Sequence, residues 1–335
     1  MKLLTIFNTC GIKRDNTREY INNISNLYNQ QLYDGNENHI VLSSCLNSEL
    51  CRDTIKQVFK DKISYSFIDE KISVNLTFNK TVKECVKHFG EFDAYHYVDS
   101  GVDFGKQSLN ILNQACNFMK SGPYGIVSLQ ADTDTGFEHL FEGEKHSTGK
   151  YFNPGRVVFA KKDKIIPVGK AVNMHSIIFS NKLFQTFDNR IMPDVFAAYC
   201  TDSVPGFLAA SVNTKWAIMK DVMIFHKHGM DGGTSFLPHK EHWSPKHGNT
   251  WNNLLCDRDA LDFINNEEAL SAGLGYEECN EIMMHRPEAY DEEGYAKYPE
   301  KLQEQIMKWF FLTKEEVNYD NISCDFTPST KLPLR

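Results

Sequence analysis

The chain has 335 residues, 41% of them hydrophobic and 24% charged, and a formal net charge of −8. That length and balance are those of an ordinary soluble globular protein, long enough for one large domain plus an extension. The acidic excess excludes a broad nucleic-acid-binding surface but leaves room for a local basic pocket that takes a phosphorylated small molecule. No stretch approaches the ~18 uninterrupted apolar residues that span a bilayer. Met1 to Asn8 lacks the length and cleavage pattern of a signal peptide. The nine cysteines are scattered without a Cys-x-x-Cys pair, which points to reduced thiols in a cytoplasmic compartment.

In chain order, Lys2 to Asn8 reads as a buried strand, and Thr9 to Arg14 as the loop leaving it. Asp15 is placed to cap a helix in which Tyr20, Ile21, Ile24, Leu27, Tyr28 and Leu32 recur at helical spacing until Asp34-Gly35 stops it. His39 to Ser43 is a second strand. Asn47 then opens a helix with Leu50, Cys51, Thr54, Ile55, Val58 and Phe59 along one side. Ser64 to Ile68 is a third strand, Val82, Cys85, Val86 and Phe89 mark a third helix, and Tyr95 to Val98 is a fourth strand. Alternation of this kind predicts a mainly parallel α/β sheet covered by helices on both faces.

The alternation continues with a helix over Ser108 to Met119 and a strand over Gly125 to Leu129. From Val157 the texture changes to short apolar runs, Val157 to Ala160, Ile177 to Phe179, Trp216 to Met219 and Val222 to Phe225, which suit a mixed or antiparallel section. Residues 1–229 are expected to form one domain, and residues 230–335 a mostly helical extension. Pro299 opens a late amphipathic helix through Leu302, Ile306 and Trp309, and Thr313 to Glu316 reads as a capping box.

The chemistry is expected where the fourth strand ends. The run from Phe92 to Val98 stops at Asp99-Ser100-Gly101-Val102-Asp103, so two carboxylates emerge at a strand end, where open α/β sheets hold ligands. Such a pair suits a divalent cation and, through it, a phosphate. His226 closes a later apolar strand. Asp132 and Asp134 form a second acidic pair after a strand. A loose group of His226, His228, His239, His242 and His247 offers a weaker zinc spacing.

Asn8-Thr9 at the end of the first strand with Arg14 beyond, Asn75 to Asn79 before a helix, the Gly90-Glu91-Phe92 step and the strand into Asp99 together resemble the opening of GT-A-fold glycosyltransferases, above all family 2. The resemblance covers residues 1 to about 228, and implies that residues 1–229 are the nucleotide-sugar-binding and catalytic domain and that residues 230–335 serve acceptor binding or oligomerisation. It implies a GT-A-type, Rossmann-like mixed sheet and a hexosyltransferase-like enzyme. It also implies transfer from a nucleotide-sugar donor to a glycan or lipid-linked saccharide acceptor, with Mn²⁺ or Mg²⁺ and inversion. It further implies donor contacts at Asn8, Thr9, Arg14, Ser44, Asn79, Asp99 and Ser100, metal ligands at Asp99, Asp103 and His226, and a catalytic base at Asp202, with Asp194 as the runner-up. The chain departs from the usual Asp-x-Asp at Gly101, where Asp103 supplies the missing ligand if the turn folds back. It departs again at Ser43-Ser44-Cys45, which lacks the base- or ribose-binding Asp. Contact with a membrane surface stays open. Two alternatives remain: a phosphatase similar to the haloacid-dehalogenase type, centred on Asp132 and Asp134, and a non-catalytic sugar- or partner-binding protein.

Overall fold

The structure, a computed structural model, describes residues 1–10, 16–45, 49–69, 74–105, 109–131, 157–161, 164–168, 175–187, 189–190, 214–226 and 319–331, with the single residues 212 and 300. The first hundred residues alternate as their apolar spacing predicts. The elements are β1 (Lys2–Cys10), α1 (Thr17–Tyr28), β2 (Glu37–Cys45), α2 (Glu49–Phe59), β3 (Ser64–Ile68), α3 (Val74–Phe89) and β4 (Ala94–Asp99). Then come β5 (Val102–Asp103), α4 (Ile111–Lys120), β6 (Tyr124–Ala131), β7 (Val157–Lys161), β8 (Lys164–Val168), β9 (Ser176–Ser180), α5 (Asn181–Thr186), β10 (Lys215–His226) and β11 (Cys324–Thr327).

The described strands form one sheet in the order β11-β3-β2-β1-β4-β9-β6-β10-β7-β8, with β5 paired to β10. The pairs β3–β2, β2–β1, β1–β4, β6–β10 and β10–β7 are parallel. Between β4 and β6 lies β9, antiparallel to both, so β4 and β6 share a direction. This is the mixed, mainly parallel sheet with flanking helices that the GT-A resemblance implies.

Burial explains why the early strands read as continuous apolar runs instead of alternating ones. Leu3, Leu4, Ile6 and Phe7 of β1 are all fully buried, because helices cover both faces of a parallel sheet. On one face Leu3, Phe7, Leu42 and Val98 pack with Tyr20, Ile24 and Leu27 of α1, Ile55 of α2 and Leu112 of α4. On the other, α3 lies against β1 and β2.

Several elements differ from the sequence expectation, three of them instructively. Helix α1 ends at Tyr28 rather than Leu32: the Asn29 N–H still donates to the Ser25 carbonyl at 2.9 Å as in a helix, but the Gln30 N–H donates to Leu27 at 3.2 Å, a three-residue turn that closes the run; Leu32 is buried without being helical. Asn75 to Asn79 belong to α3 itself instead of preceding it. Leu76, Asn79, Val82 and Cys85 all lie fully buried, a three-residue spacing that turns one side of the helix onto the sheet. Finally, Cys324–Thr327 pairs antiparallel with β3, so part of the expected extension completes the edge of the N-terminal sheet. Residues 230–299 and 301–318 lie outside the described residues.

Candidate active site

Parallel strands deliver their last residues to one edge of a sheet, and an antiparallel strand among them begins at that same edge. Here the edge collects Asn8 from β1, Ser44 from β2, Asp99 from β4 and His226 from β10, together with His175, the residue before β9. Register fixes the neighbours, with Asn8 beside both Ser43 and Asp99. On β9, Ser176 pairs Val98, and one step further the Asp99 N–H donates to the His175 carbonyl at 2.8 Å. His226 arrives by a longer route. A register shift between Met219 and Met223 interrupts β10, as a bulge does when it re-aims a strand. The strand end then pairs with β5, His226 opposite Val102.

Three side chains therefore meet. His226 Nε2 lies 3.1 Å from Asp99 Oδ2 and His175 Nδ1 lies 3.7 Å from the same oxygen. The two imidazoles stack with centroids 3.6 Å apart at 22°. The other carboxylate oxygen, Oδ1, accepts from the Ser100 backbone N–H at 2.6 Å and from its hydroxyl at 3.3 Å. Burial pushes the Asp99 carboxyl up, but hydrogen bonds and charge from His175 and His226 outweigh that and hold it well below the usual carboxylate range. Asp99 is thus an anion at any ordinary pH.

The donor set fits a divalent cation. One ligand atom from each of Asp99, His175 and His226 lies within 4.8 Å of the others. Neighbouring ligands around an ion with bonds of ~2.1 Å sit ~3 Å apart, so small side-chain rotations close the site. A carboxylate oxygen and imidazole nitrogens are both ordinary ligands for such ions.

The other expected residues fall as follows. Asn8 is buried at the tip of β1. Thr9 points to the opposite face, where its hydroxyl meets Tyr20 Oη at 3.3 Å. Ser44 is buried beside Thr9. Asn79 is buried in α3 and donates to Tyr319 Oη at 3.0 Å. Asp103 is not in the cluster. Its oxygens accept from Asn26 Nδ2 at 2.7 Å, Asn22 Nδ2 at 3.4 Å and the Gly105 backbone N–H at 2.8 Å. Arg14, Asp132, Asp134, Asp194, Asp202 and His228 lie outside the described residues. The sequence reading did not find His175; the signal was a histidine immediately before a short apolar strand, which becomes informative only once that strand is known to run against β4.

Among the described residues no helix is long and apolar enough to cross a membrane. Cys85, Cys116 and Cys324 are free thiols. No protein-family model and no curated protein matches the chain. Among solved structures it is similar to S. aureus TarS, at 14% identity and a TM-score of 0.46, over 68% of this chain and 37% of that one. It is also similar to S. aureus TarS 1-349 in complex with UDP, at 12% identity and a TM-score of 0.44, over 84% of this chain and 78% of that one. The chain thus spans 37% of the length of the first of these two structures.

Proposed function

We propose that this chain is a nucleotide-sugar-dependent glycosyltransferase, transferring a sugar with inversion to a hydroxyl of a glycan or lipid-linked saccharide. The observation that carries the reading is the meeting of Asp99 and His226 at the sheet edge where the parallel strands end, 3.1 Å apart and next to Asn8. Strand ends at such an edge are where α/β sheets hold nucleotides.

Asp99 and His226 would hold a divalent cation. When bound, that ion neutralises charge developing on the leaving diphosphate. Asp99 suits this task because it stays ionised, and Ser100 fixes its carboxylate through the backbone N–H. Asn8, buried at the neighbouring strand tip, suits the donor's ribose or phosphate side. In this reading Asp202, with Asp194 as the alternative, takes the proton from the acceptor hydroxyl as it attacks the anomeric carbon. The acceptor-binding role is assigned to the extension over residues 230–335.

The test is donor turnover. The full chain is incubated with UDP-, GDP- and TDP-sugars plus Mn²⁺, and nucleotide release is followed. One donor should turn over, and Asp99→Asn should lower its rate by about a hundredfold or more, the scale seen when a charge-stabilising group is removed. Silence across the whole panel would remove the reading.

A further inference from the structure

A two-aspartate motif would present a cation with oxygens alone. This chain has Gly101 where the second acid would stand, and Asp103 is committed to Asn22, Asn26 and the Gly105 N–H. The sheet supplies a different partner. Because β9 runs against β4, His175 is the cross-strand neighbour of Asp99, tied to it through the backbone at 2.8 Å. Cross-strand neighbours project to the same side of a sheet, and His175 Nδ1 accordingly stands 3.7 Å from Asp99 Oδ2.

The ring of His175 is fixed from its other side as well, stacked on His226 at 3.6 Å. The side chains of His175 and His226 are 11% and 5% exposed, whereas that of Asp99 keeps 30%. The cluster therefore opens on its carboxylate side, where a ligand of the ion would enter, and the two imidazoles form its floor.

Resting on the reading that Asp99 and His226 hold a cation, we propose that His175 is the third protein ligand. It takes the place of the missing second acid, and the resulting set of two imidazoles and one carboxylate selects a first-row transition ion over Mg²⁺. The chemistry is that of ligand softness. Imidazole nitrogen is a good donor to Mn²⁺, Co²⁺ and Zn²⁺, with affinity rising along that series from Mn²⁺ to Co²⁺, while Mg²⁺ demands oxygen and keeps its waters. Replacing one oxygen by nitrogen costs Mg²⁺ far more than it costs Mn²⁺.

The test uses the metal-free full chain with no nucleotide present. MnCl₂, CoCl₂, ZnCl₂ and MgCl₂ are titrated separately by calorimetry, and pulsed EPR of the Mn²⁺ form counts coupled imidazole nitrogens. Wild type should bind the three transition ions at least tenfold more tightly than Mg²⁺ and show two nitrogen couplings. His175→Ala should weaken transition-ion binding by about tenfold to a hundredfold and leave one coupling. His175→Asp should narrow the gap between Mn²⁺ and Mg²⁺.

A single nitrogen coupling in wild type, equal affinity for Mg²⁺ and Mn²⁺, or unchanged Mn²⁺ binding in His175→Ala would each overturn the proposal. The coupling count is taken on wild type, so the outcome stands even where a variant fails to fold. Two-nitrogen binding without turnover of any sugar nucleotide would leave this site intact and remove the glycosyltransferase. Turnover supported equally by Mg²⁺ would do the reverse.

Discussion

His96 lies in the middle of the sheet with no exposure at all, and its surroundings decide its charge. Thr5 Oγ1 donates to Asn38 Oδ1 at 2.7 Å, so its oxygen is left to accept from His96 Nδ1–H at 3.1 Å. His96 Nε2 then accepts from the Ser176 hydroxyl at 2.7 Å. A neutral imidazole protonated on Nδ1 satisfies both ring nitrogens, and burial pushes the His96 pKa down to about 3. The folded pKa lies below the unfolded one, so the folded state refuses a proton that the unfolded chain accepts. Stability is therefore full above pH ~6.5 and falls below it, by about 1.4 kcal/mol per pH unit for this one proton. Urea midpoints between pH 7 and 5 should show that decline, and His96→Gln should flatten it. His39, set between Phe89 and Phe92, is pushed the same way by burial and Lys2, so part of the slope should survive. Asp99 and His226 were legible in the sequence because each closes an apolar strand run. His175 was not, because what matters about it is a pairing between strands some eighty residues apart.

At the scale of elements, the docking of β11 shows how a distant segment completes the sheet. Strand β3 would otherwise leave an edge of unpaired backbone groups, a liability for self-association. Cys324–Thr327 covers it, with Phe326 stacked on His88 at 4.8 Å and Lys56 3.2 Å from Asp325. Just before the strand, Tyr319 is buried and accepts from Asn79, and Lys83 lies 4.3 Å over its ring. Tyr319→Phe removes the acceptor while keeping the ring. It should lower stability by about 1–3 kcal/mol, the cost of losing a buried hydrogen bond, read as a drop in urea midpoint at constant slope. A chain ending at residue 318 should self-associate through β3, visible as a larger species in light scattering; a monodisperse product of monomer mass would refute this.

Helix α3 makes a related point. Its buried polar residue Thr81 meets the hydroxyls of Ser43 and Ser66, each at 2.7 Å. Satisfied in that way, asparagines and threonines stay helical where their local preference favours caps and turns. A reading of propensity alone therefore starts α3 too late. Gly105 belongs to this scale too, since its φ of +67° strains any side chain and the Phe225 ring, 3.1 Å from where a Cβ would sit, would have to shift to admit one. Gly105→Ala should cost about 1–3 kcal/mol in thermal or urea unfolding, and an unchanged midpoint would show that the loop relaxes freely.

For the molecule as a whole, direction of travel through the sheet is what assembles the site. Strands β1, β2, β4 and β10 end at one edge, and β9, reversed between β4 and β6, starts there, so residues separated by 127 positions, Asp99 and His226, come within hydrogen-bonding distance. The parallel half of this plan was readable from alternation and burial pattern. The change to a mixed section after Val157 was readable as well, but which strand reverses was not, because Ile177-Ile178-Phe179 is buried on both faces and carries no mark of direction. The last strand was not either, since Cys324 to Thr327 alternates half-buried with exposed residues and holds a single large apolar side chain.

The most direct test of the central claim is calorimetric titration of the full chain with UDP, GDP and TDP, each with and without saturating Mn²⁺. One nucleoside diphosphate is expected to bind, about tenfold or more tightly when Mn²⁺ is present, as a bridge between carboxylate and diphosphate requires. That coupling should vanish in Asp99→Asn. Failure of all three to bind, or binding of one that ignores both Mn²⁺ and the Asp99→Asn change, would contradict it.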